Sequence, residues 1–148
     1  MENYVIRCAA CGARNRIPAA KVGAAGKCGK CGAVLETDGL LADKPVIVTD
    51  IDFENLVLKS PLPVLLDCWA PWCGPCKMVG PVMEQLAVEW RGRVRICKLN
   101  VDENQKTAAM FQIRSIPTML IFDGGRIKNT LVGALPRQQI VQAMKQFL

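Results

Sequence analysis

The sequence predicts an α/β protein in which a mixed central sheet, flanked by helices, follows a small metal-binding module. Three observations lead there. From Val46 onward, short apolar runs alternate with stretches of helical periodicity and close on a hairpin signal. The first 35 residues instead repeat a Cys-x-x-Cys-Gly turn, at Cys8/Cys11 and at Cys28/Cys31. A third Cys-x-x-Cys pair, Cys73/Cys76, lies within the alternating part, between a strand pattern and a helix pattern.

The two front pairs give C-x2-C-x16-C-x2-C, a spacing that suits one zinc ion per chain held by Cys8, Cys11, Cys28 and Cys31. Gly12 and Gly32 supply the tight backbone such turns need. Tyr4-Val5-Ile6 and Val34-Leu35 are expected as strands of a zinc ribbon. So short a segment cannot bury enough apolar surface to fold alone, which favours a structural metal, or a redox-sensitive one whose thiolates can be oxidised, over four free thiols in a disordered tail. Residues 1–35 carry six Lys/Arg against one acid, and residues 36–148 carry thirteen against twelve. A basic appendage suits nucleic acid. However, four thiolates on Zn²⁺ leave a formal charge of about −2, which Arg7, Lys27 and Lys30 would offset. Tyr4 is the sole aromatic residue there and gives no stacking platform, so nucleic acid is not expected as a partner.

The polar stretch 36–45, broken by Gly39 and Pro45, predicts a linker between a module at 1–35 and a domain at 46–148. In that domain V-I-V-T at Val46 predicts a strand, and D-I-D-F-E-N-L-V at Asp50 a helix with an acidic first turn. P-V-L-L-D-C-W at Pro63 predicts a buried strand. From Cys73 to Trp90 a helix is expected, with Val79, Val82, Met83, Leu86, Ala87 and Trp90 on one face and Pro81 as a kink. V-R-I-C-K-L-N-V, a short helix at Thr107–Phe111 and T-M-L-I-F follow. The turn Asp123-Gly124-Gly125 leads to a strand near Ile127–Val132, and Ile140, Val141, Met144 and Phe147 line a last helix.

Apolar runs such as Met119–Phe122 fall far short of the roughly 20 residues that span a bilayer. Residues 1–20 lack a basic start followed by an apolar run, so no secretory signal is read and a cytoplasmic monomer without membrane partners is expected. In a reducing compartment, eight cysteines point to metal binding or redox catalysis rather than a disulfide framework. The sequence contains no histidine, which removes imidazole bases and leaves any zinc to sulfur.

The third pair is built differently. Cys73 follows a strand where a helix is expected to begin, and a helix N-terminus stabilises thiolate, the reactive form. Pro75 is tolerated in a first turn. Cys76, three residues on, shares that helix face, and Lys77 stands where both front turns have glycine. This is a pair suited to opening and closing a disulfide, with Cys73 expected exposed and acidified and Cys76 directed toward the core.

W-C-G-P-C-K at Trp72–Lys77, Asp67 in the preceding strand, R-S-I-P-T at Arg114–Thr118 and V-G-A at Val132–Ala134 together resemble the thioredoxin family over residues 46–148. At the front, R-N-R-I-P (Arg14–Pro18) and K-C-G-K-C-G (Lys27–Gly32) resemble the zinc-binding extension of the thioredoxin 2 group. One departure is Cys68, where the family usually carries a bulky aromatic residue. The resemblance implies a thioredoxin fold and protein-disulfide reduction, in which Cys73 attacks and Cys76 resolves. Asp67 would accept the Cys76 proton, and Lys98 would either tune Asp67 or stand as a solvated lysine. Trp72, Gly74, Pro75, Ile116, Pro117 (in cis) and Gly133 would meet substrate, with Trp69 walling the site. Disulfide-containing proteins would be substrates, an NADPH-dependent thioredoxin reductase would restore the dithiol, and no organic cofactor would be bound. The intact Cys73/Cys76 pair with Asp67 and Pro117 argues against a non-catalytic scaffold. Cys68 and Cys97 read as small buried hydrophobes.

Overall fold

The computed structural model describes residues 3–148; residues 1 and 2 of the front module lie outside the described residues. That module is two short hairpins. β1 (Asn3–Arg7) pairs antiparallel with β2 (Arg14–Pro18), and β3 (Gly26–Lys27) with β4 (Val34–Leu35). Each turn carries one Cys-x-x-Cys pair in the same hydrogen-bond pattern. Cys8 N–H donates to Ala13 O and Gly12 N–H to Cys8 O, just as Cys28 N–H donates to Ala33 O and Gly32 N–H to Cys28 O. Gly12 and Gly32 close these turns at φ of 77° and 78°, a region costly for any residue with a Cβ. β2 and β3 carry no apolar run, because Arg-Asn-Arg-Ile-Pro alternates charge with apolar groups and Gly26–Lys27 is only two residues long.

Residues 36–45 form turns that bury Thr37 and Leu40. Leu40 joins Ile6, Leu35 and Leu62 in one cluster, so the hairpins share a core with the larger domain. Arg7 fastens the contact through its N–H to Pro61 O at 2.8 Å and its guanidinium to Asp123 at 3.2 Å.

The larger domain is a five-stranded sheet in the order β5-β7-β6-β8-β9. The strands are β5 (Val46–Ile47), β6 (Val64–Trp69), β7 (Arg95–Asn100), β8 (Thr118–Asp123) and β9 (Arg126–Val132). β5, β6 and β7 run parallel, while β8 and β9 are antiparallel to their neighbours. Helices α1 (Cys76–Glu89), α2 (Gln105–Met110) and α3 (Arg137–Met144) complete the thioredoxin fold. On one face Leu65, Met83, Leu86, Ile121, Ile140 and Met144 pack under α1 and α3. On the other, Phe53, Val57, Leu66, Leu99 and Phe122 form a second core. Both faces of β6 are therefore covered, which explains its uninterrupted apolar sequence.

The expected helices all change at their ends: α2, read at Thr107–Phe111, runs Gln105–Met110, and Phe147 lies in a 3-10 turn after α3; two others shift further. The helix read from Asp50 is a π-helical segment over Glu54–Leu58, with Lys59 N–H bonded to Glu54 O, five residues back. The helix read from Cys73 begins at Cys76, because Cys73 N–H turns back to Ala70 O and Pro75 has no N–H to give. Pro75 caps α1, which continues through Pro81. Among the described residues, no helix is long and apolar enough to cross a membrane.

Candidate active site and metal centre

Side chains alternate along β6, so Leu65, Asp67 and Trp69 face the α1 side, whereas Leu66 and Cys68 face the other core. The chain leaves β6 at Trp69 and reaches α1 through Cys73, which is disulfide-bonded to Cys76 with Cα atoms 5.3 Å apart. Ala70, Val101, Trp69 and Ile116 enclose the pair. The expected contrast in exposure is absent: Cys73 is 3% and Cys76 5% exposed. Joined sulfurs screen each other from water, and the neighbouring side chains close over both. The inequality lies in hydrogen bonding instead. The first N–H of α1, on Cys76, donates to Cys73 Sγ at 3.2 Å, where it can stabilise a thiolate.

Asp67 is buried, opposite Lys98 on β7 and Met119 on β8. Neither of its carboxylate oxygens has a hydrogen-bond partner. Burial pushes its pKa up to about 6, against the pull of the Lys98 charge. Lys98 makes no ion pair with Asp67; its ammonium sits 4.7 Å from the centre of the Trp69 ring. Trp72 is exposed, and its indole N–H donates to Asp102 at 2.8 Å. Asp102 and Val101 were not among the residues expected from sequence. The available signal was positional: parallel β6 and β7 end side by side, so the loop after Asn100 must meet the loop carrying Cys73.

The Ile116–Pro117 peptide bond is cis, and Gly133 N–H donates to Pro117 O at 2.8 Å. These two loops therefore meet, with Ile116 against the disulfide cluster. Gly74 and Pro75 lie within the turn the disulfide closes, and Gly74 O accepts from Lys77 N–H at 3.0 Å. Cys68 and Cys97 are buried in the opposite core, and burial pushes both thiols up to about 12. Neither is poised to react.

The front module brings all four of its sulfurs within 4.8 Å of one another. Cys8 and Cys31 sulfurs are 3.7 Å apart, and Cys11 and Cys28 sulfurs 3.6 Å. A tetrahedral ZnS4 site with bonds of about 2.3 Å has edges of roughly 3.8 Å, so this donor set fits a soft divalent ion. The backbone N–H of Cys31, then the Asn15 amide and Lys30 N–H, hold the Cys28 thiol down at about 6. The two sites stand at opposite ends of β6, since Pro61–Leu62 touches the hairpins and Cys73 follows Trp69. β6, six residues and about 20 Å long, lies between them.

The thioredoxin family's sequence pattern matches residues 44–146, and the pattern described as thioredoxin 2, N-terminal, matches residues 7–33. A thioredoxin of Haemophilus influenzae is 52% identical over 101 residues, covering 68% of this chain and 94% of that protein. A thioredoxin of Synechocystis is 48% identical over the same shares. One of Pseudomonas aeruginosa is 47% identical over 100 residues, 68% of this chain and 93% of its own. Chloroplastic thioredoxin M2 of Arabidopsis thaliana is 44% identical over 69% of this chain and 55% of its own length.

Proposed function

This chain belongs to the thioredoxin family as a thioredoxin-type disulfide oxidoreductase, and we propose that it reduces disulfides in partner proteins through Cys73 and Cys76. The observation that carries this reading is the Cys73–Cys76 disulfide at the mouth of α1, with Cys76 N–H on Cys73 Sγ and a buried, unpartnered Asp67 on the same side of the sheet.

In the reduced enzyme, the Cys73 thiolate attacks one sulfur of a substrate disulfide. That S–S bond breaks, the departing substrate sulfur takes a proton, and a mixed disulfide forms. Cys76 then gives its proton to Asp67, and its sulfur attacks Cys73 Sγ. The second substrate sulfur leaves and is protonated, so two electrons pass from the Cys73/Cys76 dithiol to substrate. An NADPH-dependent thioredoxin reductase returns the dithiol. Trp72, Ile116, Pro117 and Gly133 offer an apolar indole and loop backbone to an extended substrate segment, with Gly74 and Pro75 letting it approach closely. Lys98 moderates the Asp67 charge.

Cys8, Cys11, Cys28 and Cys31 would hold one zinc ion, whose chemistry here is to cross-link the two hairpins. Four thiolates in that site, with Cys68 and Cys97 free, suit a reducing cytoplasm.

A non-reducing gel of cell lysate tests the order of attack. Cys76→Ser should accumulate covalent complexes through Cys73 that separate with reductant, because no internal thiol remains to resolve them. Cys73→Ser should trap few, since Cys76 lacks the N–H donor that Cys73 Sγ receives. Equal trapping by both variants would overturn the assignment.

A further inference from the structure

The seam between the hairpins and the sheet domain holds a cavity of about 360 Å³ along one side of β1. Two hydrogen bonds fix which main-chain groups face it. Cys8 N–H donates to Ala13 O, continuing the β1–β2 ladder, whereas Arg7 N–H points away from that ladder to Pro61 O. Main-chain groups alternate in direction along a strand. Tyr4 and Ile6 therefore bond to β2, while Asn3, Val5 and Arg7 turn theirs outward. Pro61 satisfies Arg7. Among the described residues, the Val5 N–H lies off the β1–β2 ladder by this alternation and makes no backbone bond outside it. An unpaired strand edge of this kind is a template for another strand.

The charges beside that edge are also unbalanced. Arg7 lies directly opposite Arg14 in the hairpin, and Val5 opposite Arg16. Like charges directly opposite destabilise an antiparallel pair. Asp123 draws the Arg7 guanidinium aside at 3.2 Å, and it is the one acidic side chain lining the cavity among the described residues. Arg14 and Arg93 also line it, and neither has a carboxylate partner among the described residues. Pro63 and Phe147 add apolar surface.

We propose that this seam docks an extended acidic segment of a partner protein, which adds as a strand along Asn3–Val5 and places carboxylates at Arg14 and Arg93. The free edge gives main-chain pairing, and the two unpaired guanidiniums select negative charge. A small anion would use the arginines and leave the edge unpaired. A second copy of this chain would bring the same basic hairpin against itself. The seam lies at the opposite end of β6 from the disulfide, so its occupant leaves Cys73 and Cys76 free to act.

The test titrates a fluorescently labelled peptide of alternating Glu and Val, about eight residues long, into the full-length, zinc-loaded chain and follows anisotropy. The acidic peptide should bind, and more weakly as salt rises. Its affinity should fall about tenfold in the Arg14→Gln/Arg93→Gln double variant, with turnover of a small disulfide unchanged. The same peptide N-methylated at alternate amides should lose binding, an arm that needs no folded variant. Val5→Pro should also lose it while retaining zinc. The proposal is overturned if a Lys/Val peptide binds equally well, if N-methylation leaves affinity unchanged, if only small anions compete at the arginines, or if sedimentation shows self-association that Val5→Pro abolishes.

Discussion

Asp67 shows how one residue carries a cost and a use together. Burial raises its carboxyl from 3.8 to about 6, so the folded protein binds a proton between these values that the unfolded chain has released. Stability attributable to this group is therefore highest below about pH 4, falls as pH rises through about 6, and stays reduced above it. Asp67→Asn should stabilise the protein by about 3 kcal/mol at neutral pH and hardly at all at pH 4, read as denaturant midpoints at the two pH values. The same variant should slow turnover above pH 7, where the carboxylate would serve as proton acceptor, and should lack the inflection expected of the native enzyme near pH 6. Unchanged turnover would remove Asp67 from the mechanism. Trp72 allows a separate test. Asp102→Ala frees its indole, so KM for a protein disulfide should rise a few-fold, in line with loss of one charge-assisted hydrogen bond, while the melting temperature stays within a degree or two. Sequence supplied Trp72 directly, but its partner stands thirty residues away, and no local pattern joins them.

At the scale of elements, α2 depends on a cap borrowed from elsewhere in the chain. Asn104 precedes the helix yet makes no side-chain cap bond. Asp50 does that work from the loop after β5, accepting from Thr107 N–H at 2.8 Å, Thr107 Oγ1 at 2.6 Å and Lys106 N–H at 3.2 Å. These bonds, the Thr107 hydroxyl foremost, hold the Asp50 carboxyl below its usual value. For a depressed carboxylate the stability is present above the unfolded pKa and disappears as pH falls through the folded one. Asp50→Ala should thus lower the melting temperature at pH 7, and the gap from the native protein should close as pH falls below the ordinary carboxyl range, where the depressed Asp50 carboxylate finally takes up its proton. A gap independent of pH would mean that the loss is packing rather than capping. This dependence also marks where sequence reading stops. Apolar periodicity located β6, β7, β8, α1 and α3, because each buries a continuous face. It missed β2, whose arginines interrupt the pattern. It began α1 three residues early, because Cys73, Gly74 and Pro75 look like a first turn but their hydrogen bonds run back to Ala70 and on to Lys77 and Met78.

Across the whole molecule, the question is whether the hairpins and the sheet domain stand or fall together. Their shared cluster of Ile6, Leu35, Leu40 and Leu62, the Arg7–Asp123 pair and the Arg91 bond to Leu41 O at 2.8 Å join them. Tyr4 also seats its ring over Gly92, where φ is 78° and a Cβ would strike the ring. Gly92→Ala should therefore cost at least about 1 kcal/mol and loosen the hairpins before the sheet. A chelator goes further. Four thiolates without their ion repel one another, and the hairpins bury too little to stay folded alone. Chelation should release one metal per chain, unfold residues 3–35 and expose Leu62, lowering the sheet domain's stability by about 2 kcal/mol, the worth of one leucine returned to water. Turnover at 25 °C should persist, because the disulfide sits beyond the far end of β6, a strand about 20 Å long, and its partners Trp69, Ala70, Val101 and Ile116 all belong to the sheet domain. Metal content, hydrogen exchange and disulfide reduction measured on one sample decide the matter. Activity lost in step with metal would show that the hairpins reach the chemistry, while activity kept alongside a single intact melting transition would show that the module folds without its ion.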